Sequence, residues 1–117
     1  MEFRVLGPLE VTEEGRSQPL GGPKQRTVLA HLLLSANRLV AGEKLMDALW
    51  GEEPPPSARN TLQGYIKRLR KVVGAERIEH AAGGYLLRAD AAELDLLRFE
   101  SLVEGSRALV RTDVAAA

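Results

Sequence analysis

The sequence predicts an α+β fold in which short N-terminal β-strands precede three helices and a C-terminal β-hairpin. Polar and apolar residues alternate over the first twenty positions, apolar residues then recur at helical spacing in three segments, and a Gly-Gly pair separates two later strand-like runs. The chain has 117 residues, of which 44% are hydrophobic and 27% charged, so it suits one packed domain rather than a disordered chain.

The N-terminal strands are predicted at residues 2–5 and 9–12, and residues 18–20 form a candidate third strand. Turn residues separate these runs. Pro23 follows a Gly-Gly pair and suits the first turn of a helix, so the N-terminal antiparallel sheet should end there.

The first two helices are predicted at residues 24–36 and 43–50. Asn37 is expected to adopt the left-handed conformation that stops a helix. In the second helix the inward positions are taken to be Leu45, Ala48 and Leu49. Residues 51–56 include three consecutive prolines, so they should form a stiff exposed loop.

The third helix, from a capping Ser57 to about residue 73, combines an apolar stripe with a polar face. At about 100° per residue, five apolar residues gather within about 40° of Leu62. They are Ala58, Leu62, Ile66, Leu69 and Val73. The opposite arc holds Asn60, Gly64, Lys67 and Lys71, with Gln63 and Arg68 at its shoulders.

A balanced total charge conceals two local charges of opposite sign. The chain has 16 basic and 16 acidic residues. Residues 57–74 contain five basic residues and no acidic one, whereas residues 40–53 contain four acidic residues and one basic one. A basic helix face is commonly only solvated, so this charge alone does not indicate DNA. Attraction to phosphates requires a local positive field, and the third helix supplies it.

Strand-like runs at residues 77–80 and 85–88 are joined through glycines that suit a hairpin turn. Three helices followed by a hairpin are the plan of a winged helix-turn-helix, and together with the one-signed helix face they favour DNA binding.

Domain boundaries are predicted at 1–92 for this unit and 93–117 for the start of a second, helical unit. The first helix of the second unit is predicted to begin at Asp95, with apolar residues up to Val103, and residues 113–117 are a candidate for another helix. This segment is expected either to be cut short or to fold back on the first domain.

The sequence resembles the Streptomyces antibiotic regulatory protein (SARP) family, whose N-terminal domain is an OmpR/PhoB-like winged helix. The matching stretches are FRVLGPLEV at 3–11, LMDALWGEEPPPSARNTLQGYIKRLRKVVG at 45–74 and GGYLL at 83–87. The segment at 94–109, LDLLRFESLVEGSRAL, resembles the opening of the bacterial transcriptional activator domain. The resemblance implies sequence-specific binding at promoters of biosynthetic gene clusters, a four-stranded N-terminal sheet and a two-stranded wing. Ala41 departs from the Ser or Thr more usual before the second helix.

Specific roles follow for the polar residues. Forked and basic side chains on the third helix are expected to read base edges in the major groove, namely Asn60, Gln63, Lys67 and Arg68. Polar and basic residues flanking that helix and the wing are expected to reach phosphates, namely Lys24, Arg26, Arg59, Thr61, Arg70, Lys71 and Arg77.

The resemblance places the wing, Ala82, Gly83 and Gly84, over the minor groove. It also implies an RNA polymerase contact through Glu52 and Glu53, and head-to-tail pairing on direct repeats of double-stranded DNA by a domain that is monomeric in solution.

Two function classes other than DNA binding are compatible with this composition. A protein-interaction module that uses the basic helix to bind an acidic partner remains an alternative, as does a small hydrolase with an unrecognised site. No nucleophile and base stand at a recognisable spacing, so the sequence does not predict an enzyme. His31 and His80 lie far apart and cysteine is absent, so neither a metal nor a cofactor is expected.

His80 should face solvent or a phosphate, and Trp50 should fill space between helices. No apolar run approaches the roughly 20 residues of a membrane span, and a cytoplasmic, nucleoid-associated location is expected.

Overall fold

The computed structural model describes residues 1–100 and residue 102. The strands are β1 (Glu2–Arg4), β2 (Glu10–Glu13), β3 (Arg16–Ser17), β4 (Val40–Ala41), β5 (Ile78–Ala81) and β6 (Gly84–Leu87). The helices are α1 (Pro23–Leu34), α2 (Gly42–Trp50) and α3 (Ala58–Val73), and a single 3-10 turn (Ala75–Arg77) precedes β5. This element order confirms the predicted winged helix-turn-helix.

The N-terminal sheet is antiparallel with strand order β1-β2-β3, and Phe3 lies opposite Val11 at its buried centre. The third strand is Arg16–Ser17, so its prediction at 18–20 was wrong. Glu14 and Gly15 have positive φ and form a tight turn that places Arg16 directly opposite Glu13. The sheet has three strands within the described residues, not the four that the family resemblance implied, and the short strand after α1 pairs with the wing.

The three helices pack around one core. In α3 the buried residues are Ala58, Leu62, Ile66, Leu69 and Val73, which confirms the predicted stripe. In α2, Leu45 and Leu49 are buried, whereas Ala48 is exposed, so its inward assignment was wrong. The short α2 packs against α1 and α3 along a narrow stripe, and Ala48 lies outside it. The side chain of Ser57 makes no capping hydrogen bond, contrary to the prediction.

The wing is a sheet of three strands in the order β4-β6-β5, not the two-stranded hairpin that the resemblance implied. Ala82 and Gly83 form its two-residue turn, with φ of 47° and 76°. Gly84 was expected to supply an unusual dihedral but instead allows close packing. A Cβ there would lie 2.3 Å from the Val40 carbonyl oxygen, so only glycine admits β4 at this distance.

The start of α2 is held by the wing rather than by a capping side chain. Ala41 makes no side-chain cap, but the backbone N–H of Gly42 donates a hydrogen bond of 3.0 Å to the Gly83 carbonyl. The wing turn therefore accepts a hydrogen bond from one of the N–H groups that a helix leaves unpaired at its start, where a Ser or Thr cap usually helps. The same hydrogen bond fixes the wing turn against α2.

The segment after the wing folds back onto the N-terminal sheet. Leu94 is fully buried and forms a parallel bridge with Phe3, whose N–H donates to the Glu93 carbonyl. The carboxylate of Asp95 accepts hydrogen bonds from the N–H groups of Val5 and Leu6, at 3.0 and 3.2 Å. This segment was expected either to be cut short or to fold back on the first domain, and residues 93–95 fold back. The domain boundary between residues 92 and 93 stays a prediction.

Residues 95–100 are helical, as predicted. The expected apolar contribution of Val103 and the candidate helix at 113–117 lie outside the described residues. Over residues 1–100 and 102, no helix is both long and apolar enough to cross a bilayer.

Candidate nucleic-acid interface

The face of α3 opposite the core is exposed and carries only neutral polar and basic side chains. Asn60, Gln63, Lys67 and Lys71 are all solvent-exposed, as are Arg59 and Arg68 at its edges. The 3.6-residue period that buries Leu62 and Ile66 is also what places these groups together on the outside. α3 has no acidic residue, so nothing within the helix neutralises its positive field.

Gly64 lies in the middle of this exposed face. A Cβ built on Gly64 would meet no heavy atom within 4 Å, apart from the helix's own backbone. Packing within the domain therefore does not require a glycine here. Helix stability does not favour one either, because glycine destabilises the interior of a helix relative to alanine. The backbone of α3 is open to a close approach from outside at this point.

A groove of about 410 Å³, the α3–wing groove, separates α3 from the wing. Arg59 and Gln63 line it from α3, Glu43 and Met46 from α2, and His80 from β5. The imidazole of His80 is stacked on the ring of Tyr85, with 4.7 Å between ring centroids and 18° between ring planes.

A second groove, the α1–α3 groove of about 430 Å³, flanks the other side of α3. Arg68 and Tyr65 line it from α3, and Gly22, Pro23, Lys24 and Gln25 line it from the start of α1. Gln63 and Arg68 therefore lie on opposite sides of the helix, each beside a different groove.

Two predicted phosphate contacts at the first helix differ in their surroundings. The Lys24 ammonium donates a hydrogen bond of 3.1 Å to the Leu49 carbonyl and lies 5.9 Å from the centre of the Trp50 ring. It thus ties α1 to the C-terminal end of α2, where a cation is favoured by the helix dipole. Trp50 is partly buried against the core, in keeping with its predicted place between helices. Arg26 is exposed on the surface of α1.

Arg77 is held by contacts within the domain, although the sequence suggested a phosphate contact. Its guanidinium forms a two-pronged salt bridge with Glu93, donates to the Arg88 carbonyl and lies 5.3 Å from the centre of the Phe3 ring. Hydrogen bonding from Arg77 holds the pKa of the Glu93 carboxyl below its ordinary value. Arg77 therefore joins the wing, the N-terminal sheet and the segment after the wing.

Arg70 is half-buried and also braces the structure. Its Nε donates a hydrogen bond of 3.2 Å to the Ile78 carbonyl at the start of β5. Thr61 is half-buried too, so of the predicted phosphate contacts on α3 only Arg59 and Lys71 are fully exposed. Sequence reasoning did not separate these roles, because the partners of Arg70 and Arg77 lie on other elements.

The loop between α2 and α3 exposes two carboxylates. Glu52 and Glu53 follow Gly51, whose φ of 64° turns the chain away from α2, and both are exposed. Three prolines then lead into α3, so the loop is stiff and has few backbone donors.

The sequence prediction did not assign Glu43, Met46 and Tyr85 to a site, yet the structure places all three in the α3–wing groove. No local pattern marks them, since the groove forms only when β4 pairs with β6. Across the part of the chain that the structure describes, no three His, Asp or Glu side chains cluster closely enough to hold a metal ion.

Comparisons with known proteins identify the family of this chain. Residues 17–87, more than half of the chain, match the family model described as "Transcriptional regulatory protein, C terminal". The chain is 42% identical to the transcriptional regulatory protein MoaR1 of Mycobacterium tuberculosis, over 89% of this chain and 36% of MoaR1. It is 40% identical to the regulatory protein AfsR of Streptomyces coelicolor, over 91% of this chain and 11% of AfsR.

Solved structures show the same fold. Mycobacterium tuberculosis EmbR, solved with a low-affinity phosphopeptide, superposes with a TM-score of 0.79 at 40% identity, over 84% of this chain and 27% of EmbR. The C-terminal domain of the nisin resistance regulator NsrR superposes with a TM-score of 0.52 at 29% identity, over 68% of this chain and 84% of that domain. The chain thus spans only about a third of MoaR1 and about a quarter of EmbR.

Proposed function

Since this chain belongs to the OmpR-type winged-helix transcription regulators, and among them to the SARP family, we propose that it activates a biosynthetic gene cluster by binding duplex DNA at the promoter. The family consists of DNA-binding transcription regulators, not enzymes. The single observation that carries the finer proposal is the exposed, acid-free face of α3 between two grooves.

In the proposal α3 lies in the major groove of the duplex. A helix with its side chains is about 10–12 Å across and the major groove is about 12 Å wide, so the dimensions agree. Asn60 and Lys67 are central on the exposed face, and Gln63 lies at its edge beside the α3–wing groove. All three would contact base edges. Arg68 would reach the bases from the edge of α3, where it borders the α1–α3 groove.

Phosphate contacts would come from the exposed cations around α3, with Lys71 and Arg59 on the helix and Arg26 on α1. Lys24, at the α1–α3 groove, would add a contact through the ammonium N–H groups that do not bond to the Leu49 carbonyl. Arg70 and Arg77 would act indirectly by holding the wing in position. The wing turn, Ala82 to Gly84, would lie at the minor groove.

The proposal is tested by selecting bound sequences from a random duplex pool and measuring affinities for the selected duplex at two salt concentrations. Gln63→Ala should lose about 1–3 kcal/mol of discrimination at one base position. Lys71→Ala should weaken all duplexes similarly and lower the salt slope by about one unit. Arg16→Ala, which removes an exposed cation from the N-terminal sheet, is the charge-matched control and should change neither property.

A pool that yields no preferred sequence would contradict the DNA-reading role. Persistent binding to acidic proteins in that case would favour the alternative interaction module. Unaltered sequence preference in alanine variants of Asn60, Gln63, Lys67 and Arg68 would rule out the placement of α3 in the major groove.

We further propose that two copies bind direct repeats head to tail, about one helical turn apart, and that the free domain is monomeric. Sedimentation should show a monomer alone and two copies on a two-repeat duplex. A tight dimer without DNA would contradict this arrangement. The regulator would act in the cytoplasm, on the nucleoid.

The acidic loop is proposed to contact RNA polymerase. Phosphates repel carboxylates, so Glu52 and Glu53 are suited to a surface that points away from DNA. A variant with both changed to alanine should bind its duplex at least as tightly as the parent and yet activate transcription poorly with purified polymerase. Full activation by that variant would leave the loop as a connector between α2 and α3.

A further inference from the structure

We propose that the α3–wing groove holds the phosphodiester strand of the duplex that runs between α3 and the wing, and that His80 is a phosphate contact in it. This inference rests on the proposed DNA binding and assigns His80, for which the sequence left solvent and a phosphate as alternatives, to the phosphate. The ligand is the sugar-phosphate backbone itself, so the contact would favour no particular base.

In the proposed complex, the α3–wing groove lies where one strand of the DNA backbone has to pass. When a helix lies in the major groove and a wing reaches the neighbouring minor groove, one sugar-phosphate strand separates the two. That strand must then pass across the space between the helix and the wing. In this protein the space is the α3–wing groove, whose walls are α3 on one side and β5 with the wing turn on the other.

The walls of the α3–wing groove differ in charge. Arg59 supplies an exposed guanidinium from α3. Gly42, at the start of α2, lines the groove as well, and the positive end of a helix dipole favours an anion. The N–H of Gly42 is already bonded to the Gly83 carbonyl, however, and Glu43 adds a carboxylate to the α2 wall. The walls suited to a phosphate are therefore those of α3 and β5, which carry Arg59 and His80.

His80 lies on the β5 wall of the groove. Its ring is exposed but stacked on Tyr85 at 4.7 Å, so its orientation is largely fixed before any ligand binds. A fixed ring loses less conformational freedom on binding than a free one. Protonated imidazole donates from both nitrogens, whereas neutral imidazole donates from only one.

The charged and titratable groups around His80 can be named for each packed element. Glu43 faces the groove from α2, Arg59 from α3 and Tyr85 from β6. Glu79, the neighbour of His80 on β5, accepts a 2.8 Å hydrogen bond from Arg88 and is thereby partly neutralised. A bound phosphate interacts more favourably with a charged imidazole than with a neutral one, so phosphate binding at His80 should strengthen as pH falls.

The test uses the chain's two histidines as a matched pair. Dissociation constants for the selected duplex are measured at pH 6 and pH 8 and constant ionic strength, for the parent chain, His80→Gln and His31→Gln. Histidine normally gains its charge within about pH 5–8, so the parent should bind about three- to tenfold tighter at pH 6. His31→Gln, altered at an exposed position on α1, should keep that dependence, while His80→Gln should lose most of it.

A second variant and a second readout complete the test. His80→Lys carries a permanent charge and should bind tightly at both pH values. The salt slope of the parent should be steeper at pH 6 than at pH 8 by up to about one unit, and that of His80→Gln should be equal at both. Circular dichroism and melting curves establish that each variant is folded.

The outcomes separate this inference from the proposed function. Sequence-selective binding in which His80→Gln keeps the parent's pH dependence would overturn the role of His80 alone. Sequence-selective binding by a parent that shows no pH dependence would do the same. If the folded parent binds no duplex at either pH, both the inference and the proposed function fail.

Discussion

Gly64 provides a test in which stability and function should change in opposite directions. α3 has 16 residues, and Gly64 lies near its middle, on the exposed face. Alanine is favoured over glycine inside a helix by about 0.5–1 kcal/mol, and the added Cβ would meet no neighbouring side chain or other element within 4 Å. Gly64→Ala should therefore raise the free energy of unfolding by about that amount and the melting temperature by roughly 2–8 °C.

DNA affinity should fall in the same variant. If the α3 backbone approaches the floor of the major groove at Gly64, the extra methyl group must displace atoms at a packed interface. Overpacking of this kind costs about 1–3 kcal/mol, which corresponds to a dissociation constant roughly 5- to 150-fold higher. The assay pairs thermal unfolding followed by circular dichroism with fluorescence anisotropy on the selected duplex.

His31→Ala is the control for helix propensity. It places alanine at an exposed position of α1 and should stabilise the domain modestly without weakening DNA binding. A Gly64→Ala variant that gains stability and keeps full DNA affinity would refute the close approach of α3. One that loses stability would refute the conclusion that the space around Gly64 is open.

Three further predictions concern the wing and the segment behind it. Hydrogen bonding from Arg77 lowers the pKa of Glu93, so this pair stabilises the fold fully above about pH 4.5 and loses its contribution as pH falls through the lower folded-state pKa. Glu93→Gln should thus be less stable than the parent by roughly 1–3 kcal/mol at pH 7 in urea titrations, and the difference should shrink in acid; a constant difference would count against the pair. Ala82→Gly should raise the melting temperature by a few degrees, because Ala82 has a left-handed φ of 47° and this conformation costs a residue other than glycine roughly 1 kcal/mol or more. An unchanged melting curve would show that the turn is not strained. Arg77→Ala should mainly lower stability and leave the salt slope of DNA binding unchanged, whereas Lys71→Ala should flatten the slope and leave stability unchanged; the reverse pattern would return Arg77 to the phosphate contacts.

The sequence determined the features that depend on residues within one or two turns of each other. The buried stripe of α3 follows from its helical period, and the same period places Asn60 and Lys67 on the exposed face. Asn37 has the left-handed φ of 67° that its residue type predicted. The wing hairpin likewise lies where the glycines predicted it, because turn geometry is a local property.

Only the tertiary structure decided which distant segments meet. Val40 pairs with Tyr85 and so adds a third strand to the wing, and Phe3 pairs with Leu94 across nearly the whole described chain. No local period specifies such partners, since a short strand bonds equally well to any edge that packing brings beside it.

The same reason explains the division of the arginines. The exposure of Arg59 follows from its position on the helix, but Arg77 forms a salt bridge with Glu93, a partner 16 residues away. Both His80 and Gln63 line the α3–wing groove. This groove exists because helix packing and strand pairing bring together α2, α3 and the wing strands, and no local sequence pattern indicates that these elements meet.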